Sequence, residues 1–138
     1  MQQKFTKKIQ IKFREADPAG ILFFGNILSL AHDTFEEFIQ NAGFTWNEWF
    51  KTDEFIVPIR QTEAQFLSPF MPGQFYQIEV FVEKIGDSSL KMKYTFLQDY
   101  KVHAEVSMVH TFLNFQTKSK IRVPEKVRVK LEKFVQKA

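Results

Sequence analysis

Hydrophobic and polar side chains alternate along residues 4–14, and this alternation predicts a β-strand. Every second residue from Phe5 to Phe13 lies on a mostly apolar face, whereas the residues between them are polar. A period of two residues with one apolar face is typical of an antiparallel strand that is buried on one side. Pro18 and Gly20 follow and interrupt the pattern.

The period then becomes helical over residues 26–42. Asn26 is suited to cap this helix, and Gly43 is suited to end it. We expect this element, the longest predicted helix, to be the one on which the sheet packs, and a further short helix is predicted from Thr45 over the segment TWNEWF. The apolar stripe of the long helix recurs every three or four residues and consists of Leu28, Ala31, Phe35, Phe38, Ile39 and Ala42.

Four alternating segments follow the helices, at residues 55–67, 75–84, 90–96 and 102–112. The short turns GDSS and QDYK separate the last three, which predicts a meander of antiparallel hairpins. After Pro124, the segment EKVRVKLEKFVQK predicts a terminal helix. This order predicts an α+β fold in which one antiparallel sheet of about five strands curls around the long helix. The chain has 138 residues and no repeat or linker, so we expect a single domain over residues 1–138.

Composition narrows the chemistry. The chain contains no cysteine, which excludes disulfides and a thiolate nucleophile. Neither a signal peptide nor an apolar run of membrane-spanning length is recognisable, so we expect a cytoplasmic location and no membrane span. The net charge of +3 is compatible with an anionic ligand, but on charge alone it favours an ordinary mixed surface. His110 is predicted to lie in the core and His103 in solvent.

Asp17 is the acidic residue with the greatest catalytic potential. Asp-Pro sequences favour turns, so a plain turn former is one interpretation. The other is catalytic, because the free N–H groups at the start of the following helix stabilise anions. A carboxylate beside such an oxyanion hole is suited to acyl transfer, as nucleophile or as general base.

The segment DPAGILFFGN, followed by an amphipathic helix and a four-strand meander, resembles the hotdog-fold acyl-CoA thioesterases, in particular the 4-hydroxybenzoyl-CoA thioesterase branch. The motif of that branch reads Asp, two residues, Gly, two apolar residues and an aromatic residue. Further matches are Gly43 after the helix, the segments SPF and PG within residues 68–73, Ser88–Ser89 in a hairpin, and Pro124 before the last helix. The motif itself is matched by Asp17, Gly20, Ile21, Leu22 and Phe23.

This resemblance implies a hotdog fold, an antiparallel sheet of about five strands wrapped around one long central helix. It also implies that Asp17 is the catalytic carboxylate and that the thioester carbonyl accepts hydrogen bonds from the backbone N–H groups of Phe24 and Gly25. No metal and no cofactor other than the CoA of the substrate are expected. The active site would lie between two protomers of a homodimer, which usually pairs into a homotetramer. Where many members carry Tyr or His, this chain has Phe24, which offers only its backbone and its ring.

Substrate-binding residues are predicted near the same elements. The candidates for binding substrate are Phe23, Asn26, His32, Trp46, Val57 and Pro58. Those expected to form an aromatic acyl pocket are Phe23, Trp46, Val57 and Pro58, together with Phe24. The candidates for binding the phosphates of CoA are Arg60, Lys91, Lys93, Lys120 and Arg122.

The expected activity is hydrolysis of an acyl-CoA thioester, aromatic such as 4-hydroxybenzoyl-CoA or aliphatic, to the free acid and CoA. The alternatives are a thioesterase for acyl-carrier protein, a non-catalytic acyl-CoA binding protein and a plain interaction module. Another hotdog branch would use Glu36 or Glu37 as the base. Nothing in the sequence indicates a nucleic-acid partner.

Overall fold

The computed structural model describes residues 3–136 of the chain. Five strands form one antiparallel sheet in the order β1-β4-β5-β6-β3, and β2 pairs separately with β7. The strands are β1 (Phe5–Gln10), β2 (Phe55–Ile56), β3 (Ile59–Phe66), β4 (Phe75–Ile85), β5 (Ser89–Gln98), β6 (Lys101–Thr111) and β7 (Leu113–Asn114). The α-helices are α1 (Asn26–Asn41), α2 (Trp46–Phe50) and α3 (Glu125–Leu131).

The first strand is shorter than its pattern predicts. β1 pairs with β4 from Phe5 opposite Val80 to Gln10 opposite Phe75, and the last backbone hydrogen bonds to this segment are those of Ile11 with Gln74 and Gly73. A 3₁₀ turn then forms over residues 13–15, because the carboxylate of Glu15 accepts the backbone N–H of Lys12 at 2.7 Å. Phe13 is consequently 90% exposed, and the prediction of a strand to residue 14 is wrong.

Helix α1 begins and ends within one residue of its predicted bounds. Its apolar stripe packs on one face of the sheet beside β1 and β4. The helix has 16 residues, hence a length of about 24 Å, and Ser29, Asp33 and Glu37 on its other side are exposed. The α+β class with a five-stranded antiparallel sheet is confirmed, but the picture of a sheet wrapped around a long central helix is corrected to a shorter helix lying on one face.

The meander β4–β5–β6 forms the centre of the fold as predicted. Alternate residues of the three strands, such as Val80, Met92 and Val106, are buried in the hydrophobic core. His110 is buried as predicted, but the prediction of a solvated His103 is wrong, since it is only 7% exposed. The register between β5 and β6 shifts near Phe96, and this bulge places both His103 and the next residue on the inner face.

The predicted strand over residues 55–67 is in fact two strands. Pro58 lies between β2 and β3, and its ring restricts the backbone of Val57 before it. β3 forms an edge of the main sheet, and all eight of its residues are exposed.

The terminal helix is also divided. α3 ends at Leu131 and a 3₁₀ turn covers residues 132–134, while the predicted last residue, 137, lies outside the described part of the chain. No helix within residues 3–136 is long and apolar enough to cross a membrane.

Candidate active site

Asp17 begins a tight turn. Its carbonyl oxygen accepts the backbone N–H of Gly20 at 2.9 Å, and its Oδ1 accepts the backbone N–H of Ala19 at 2.8 Å. Pro18 supplies the fixed φ that the second position of such a turn favours, and Gly20 adopts a φ of +80° that few other residues tolerate. Asp17 is thus a turn former, as one interpretation of the sequence predicts, and its half-buried side chain keeps a second oxygen available.

The turn is the tip of a small hairpin that we call the Asp17 loop, residues 15–23. The N–H of Asp17 donates to the carbonyl oxygen of Ile21, and that of Phe23 donates to Glu15, both at 2.8 Å. The amide side chain of Asn26 donates to the same Glu15 oxygen at 2.9 Å, which fixes the start of α1 to the loop. Asn26, predicted to bind substrate, is therefore engaged in holding the loop.

The start of α1 presents free backbone donors. The N–H groups of Phe24 and Gly25 make no hydrogen bond to any residue in the range 3–136. Gly25 precedes the first helical residue, where the helix dipole favours negative charge. A Cβ at Gly25 would lie 2.9 Å from Cε2 of Phe23, so a glycine here lets the ring of Phe23 lie against the backbone.

Asp17 and Phe24 line one cavity of about 430 Å³, which we call the Asp17 cavity. Its remaining walls are largely apolar. The other lining residues are Ile21, Leu22, Phe66, Leu67, Ser68, Pro69 and Phe70.

His32, Val57 and Pro58 lie together in a second cavity of about 570 Å³, which we call the aromatic cavity. Trp46 does not line it but packs on Phe50, which does, with 4.4 Å between ring centroids. Three of the six predicted substrate-binding residues thus share this cavity, which is a different cavity from the one that Asp17 lines. The remaining aromatic-cavity residues are Phe35, Trp49, Phe50, Lys51, Thr52, Asp53, Phe55, Ile56, His110 and Phe115.

Phe23 lines neither of these two cavities. Its ring is 45% exposed and packs on that of Phe24 at a centroid distance of 4.9 Å. Its contact with the backbone of Gly25 makes it a neighbour of the free donors rather than part of a pocket wall.

His110 is a part of the aromatic cavity that the sequence pattern assigned only to the core. Its ring stacks on Phe35 at 4.6 Å, and Nδ1 lies 3.5 Å from the carbonyl oxygen of Val57. Burial lowers the pKa of His110 to about 4, so the imidazole is neutral at pH 7. Only the tertiary structure, through Phe35 and Val57, joins His110 to this cavity.

The five basic candidates for CoA binding differ in their partners. Arg60 and Lys120 are exposed and form no ion pair within residues 3–136. The other three are paired, Lys91 with Glu83 at 2.8 Å, Lys93 with Glu105 at 3.9 Å and Arg122 with Asp87 at 3.3 Å. The hydrogen bond to Glu83 also raises the pKa of Lys91.

The alternative bases on α1 are already engaged. Glu36 lies 3.2 Å from Nδ1 of His32, and Glu37 pairs with Lys7. Within residues 3–136, no group of three or more His, Asp or Glu side chains is placed to hold a metal ion.

Sequence comparison finds relatives along most of the chain. A family model described as the thioesterase-like superfamily matches residues 11–131. A 1,4-dihydroxy-2-naphthoyl-CoA hydrolase of Prochlorococcus marinus subsp. pastoris is 31% identical over 125 residues, covering 87% of this chain and 83% of that protein. The hydrolase of the same name from Nostoc punctiforme is 25% identical, covering 89% of this chain and 83% of its own length.

Solved structures share the fold. A 1,4-dihydroxy-2-naphthoyl-CoA thioesterase from Synechocystis superposes with a TM-score of 0.84 at 16% identity, covering 94% of this chain and 96% of that one. A gentisyl-coenzyme A thioesterase superposes with a TM-score of 0.81 at 21% identity, covering 93% and 99%. The resemblance to hotdog-fold thioesterases read from the sequence is confirmed: the chain belongs to the thioesterase-like superfamily and is an enzyme of the thioesterase class.

Proposed function

We propose that this enzyme hydrolyses an aryl-CoA thioester at the Asp17 cavity. The observation that carries the proposal is that Asp17, with an uncommitted carboxylate oxygen, and Phe24 line one largely apolar cavity. The N–H groups of Phe24 and of the next residue, Gly25, are uncommitted at the start of the helix beside it. When the substrate fills this cavity, hydrogen bonds to a developing oxyanion are strong, because the substrate and the apolar walls displace the water that would compete for them.

In the proposed reaction, the thioester carbonyl oxygen accepts hydrogen bonds from the N–H groups of Phe24 and Gly25. Asp17 either attacks the carbonyl carbon, giving an anhydride that water then opens, or removes a proton from an attacking water. By either route the C–S bond breaks, the thiolate of CoA leaves and takes up a proton, and the acid is released. This scheme uses no metal and no cofactor beyond the CoA of the substrate.

An aryl group is the acyl group that this chain is best suited to bind. The aromatic cavity has five Phe or Trp side chains in its wall, and offset or edge-to-face contacts between rings add to the stability of burial. Relatives named for 1,4-dihydroxy-2-naphthoyl-CoA support a bicyclic hydroxyaryl group as the first candidate, with 4-hydroxybenzoyl-CoA as the second. An acyl-carrier-protein thioester shares the pantetheine arm and is the alternative donor. A cytoplasmic location, where CoA thioesters are formed, is part of this proposal.

The same proposal includes a homodimer with shared active sites. β3 is an open edge with every residue exposed, and pairing with a second copy would satisfy its free backbone groups. The aromatic cavity contains Pro58, immediately before β3, while the Asp17 cavity contains Phe66 at its end. A two-fold antiparallel pairing of two β3 strands brings the start of one beside the end of the other. Each Asp17 cavity would then adjoin the aromatic cavity of the partner subunit, and two such dimers would form the tetramer.

Thiol release from a panel of thioesters tests the function. The panel consists of 1,4-dihydroxy-2-naphthoyl-CoA, 4-hydroxybenzoyl-CoA, benzoyl-CoA, short-chain and long-chain acyl-CoA, and one acyl-carrier-protein thioester. We expect the hydroxyaryl substrates to give the highest kcat/KM. Release from none of them by the folded protein would reject the proposal, and release from the carrier-protein thioester alone would replace CoA by that partner.

A further inference from the structure

His103 is attached to one wall of the Asp17 cavity by three hydrogen bonds. Its carbonyl oxygen accepts the backbone N–H groups of Leu67 at 2.8 Å and Ser68 at 3.1 Å. Its side-chain Nδ1 lies 3.0 Å from the carbonyl oxygen of Pro69. Because a carbonyl oxygen can only accept, the proton of this contact is on Nδ1. One buried residue of β6 thus contacts three consecutive residues of the cavity wall.

The imidazole of His103 also packs inside an aromatic cluster. Its ring centroid lies 5.4 Å from that of Phe70 and 5.1 Å from that of Tyr76. The hydroxyl of Tyr76 accepts the backbone N–H of Met71 at 2.8 Å, so both ends of the wall segment, residues 66–71, are held to the sheet.

The wall segment is in turn bonded to the Asp17 loop. Leu22 donates its backbone N–H to the carbonyl oxygen of Phe70 at 2.9 Å. Leu22 pairs with Ala16, the residue before Asp17, across the loop hairpin. The His103 side chain is therefore connected to the Asp17 loop by a continuous path. The path follows the hydrogen bond to Pro69, the backbone to Phe70 and the hydrogen bond from Leu22, which pairs with Ala16 beside Asp17. The ring of Phe70 also packs on that of His103.

We propose that His103 is a positioning residue, which fixes the distance between the cavity wall and the Asp17 loop through its hydrogen bond to Pro69. This inference rests on the proposed function for its catalytic consequence, but its structural part stands on the contacts alone. His103 touches neither Asp17 nor the free N–H groups of Phe24 and Gly25 in the hydrogen bonds described, so it acts through the wall. Displacement of a reacting group by about 1 Å costs an enzyme on the order of 10²-fold in rate.

Two substitutions separate the hydrogen bond from simple packing. His103→Phe keeps a flat ring of similar size but cannot donate to Pro69. His103→Asn is smaller, yet its amide nitrogen takes the place of Nδ1 and can donate the bond. A packing role predicts that the Phe variant behaves like wild type and the Asn variant does not, whereas the positioning role predicts the reverse. If the Phe variant does not fold, His103→Leu, an apolar side chain that also lacks a hydrogen-bond donor, replaces it.

Amide hydrogen exchange in the full chain is the readout that does not depend on activity. We expect the N–H of Leu22 to exchange about tenfold faster or more in His103→Phe, while the N–H of Ile78 in the sheet is unchanged, since only local opening is altered. In His103→Asn, Leu22 should exchange at about the wild-type rate. Unchanged exchange at Leu22 in the Phe variant, or equal acceleration at Leu22 and Ile78, would overturn the proposal.

Kinetics supply the second readout. With the best thioester of the panel, His103→Phe should lower kcat/KM by about tenfold or more, with His103→Asn restoring most of it. Tyr94→Phe is the matched control. It removes a buried hydroxyl group from β5, the strand beside β6, and this hydroxyl has no hydrogen-bond partner within residues 3–136. A wild-type protein that hydrolyses nothing would reject the proposed function, and the Leu22 exchange would still decide the role of His103.

Discussion

Ala19 donates its backbone N–H to Oδ1 of Asp17 at 2.8 Å, within the turn at the tip of the Asp17 loop. The bond fixes the orientation of the carboxylate with one oxygen and leaves Oδ2 without a hydrogen-bond partner in residues 3–136. Turn formation and catalysis are therefore compatible roles for Asp17, because each uses a different oxygen.

Asp17→Asn tests the second role while preserving the first. The amide oxygen of Asn still accepts from Ala19, so the turn should persist and the melting temperature should change little. Asn is neither a nucleophile nor a base at neutral pH, and we expect kcat to fall by about 10³-fold or more. Asp33→Asn, at an exposed acid of α1 without an ion pair in the described residues, is the control and should leave kcat unchanged. Full turnover in Asp17→Asn would remove Asp17 from the mechanism.

Gly25→Ala should impair the proposed oxyanion hole. The new Cβ would meet Cε2 of Phe23 at 2.9 Å, so the ring and the free N–H groups beside it must shift. Loss of one such donor typically costs about 10²–10³ in kcat, and a partial displacement should cost about tenfold with a smaller change in KM. Gly86→Ala is a matched control, since its Cβ would crowd Oγ of Ser89 at 2.7 Å, away from the site. Equal kinetics for the two variants would contradict the assignment of these donors.

His110 should make folding pH-dependent below neutrality. Burial lowers its pKa to about 4 from the ordinary value of 6.5, so the unfolded chain takes up a proton at a higher pH than the folded one. The free energy of unfolding should therefore be level above pH 6.5 and decrease between pH 6.5 and 4, by about 3 kcal/mol in total from this residue.

Urea denaturation at several pH values measures this effect against His110→Phe. The variant keeps a ring to stack on Phe35 but cannot be protonated. The wild-type and variant curves should diverge as the pH falls from 6.5 to 4. Parallel curves would show that His110 does not contribute.

Arg60 and Lys120 should bind the phosphates of CoA. Both are exposed and free of ion pairs among the described residues, so neither must break a bond to bind an anion. We expect Arg60→Ala and Lys120→Ala to raise KM severalfold at low ionic strength with little change in kcat, and added salt to diminish the difference. Lys84→Ala, at another exposed lysine without an ion pair in that range, should leave KM unchanged. If KM is unaltered in both variants, the phosphates of CoA bind at other residues.

The proposed sharing of active sites between two subunits predicts complementation between two inactive variants. Asp17→Asn disables one half of the site, and Val57→Trp fills the aromatic cavity that forms the other half. In mixed dimers one of the two sites has both halves intact, so random reassociation should restore about a quarter of wild-type activity. Size-exclusion chromatography with light scattering would establish the oligomeric state in parallel. If a confirmed mixed dimer recovers no activity, each active site lies within one chain.

Elements with a regular pattern could be predicted from the sequence alone. The stripe of α1 has a helical period over four turns, and the three meander strands alternate between short turns, so local rules suffice. The predictions are wrong where the local structure depends on a partner that is distant in the sequence. β1 ends because β4 begins at Phe75, and the inward position of His103 depends on a bulge against β5.

The candidate site could also be predicted only where its residues are close together in the sequence. The segment DPAGILFFGN, residues 17–26, is continuous in sequence, and Asp17 and Phe24 within it do line one cavity. The aromatic cavity joins residues from α1, β2 and β6, and no sequence spacing indicates that His110 and Val57 are neighbours. The wall segment is similarly held by Tyr76 and His103 from two different strands.

The pairing of Phe5 with Val80 has a consequence for how the molecule reaches its native state. The hairpins β4–β5 and β5–β6 connect neighbouring segments and can form early, whereas β1 must wait for a contact between residues far apart in the chain. The Asp17 loop follows directly after β1, so catalytic competence should be acquired in the last stage of folding. We expect destabilising substitutions in β5 to slow refolding and those in β1 chiefly to accelerate unfolding, as stopped-flow measurements would reveal.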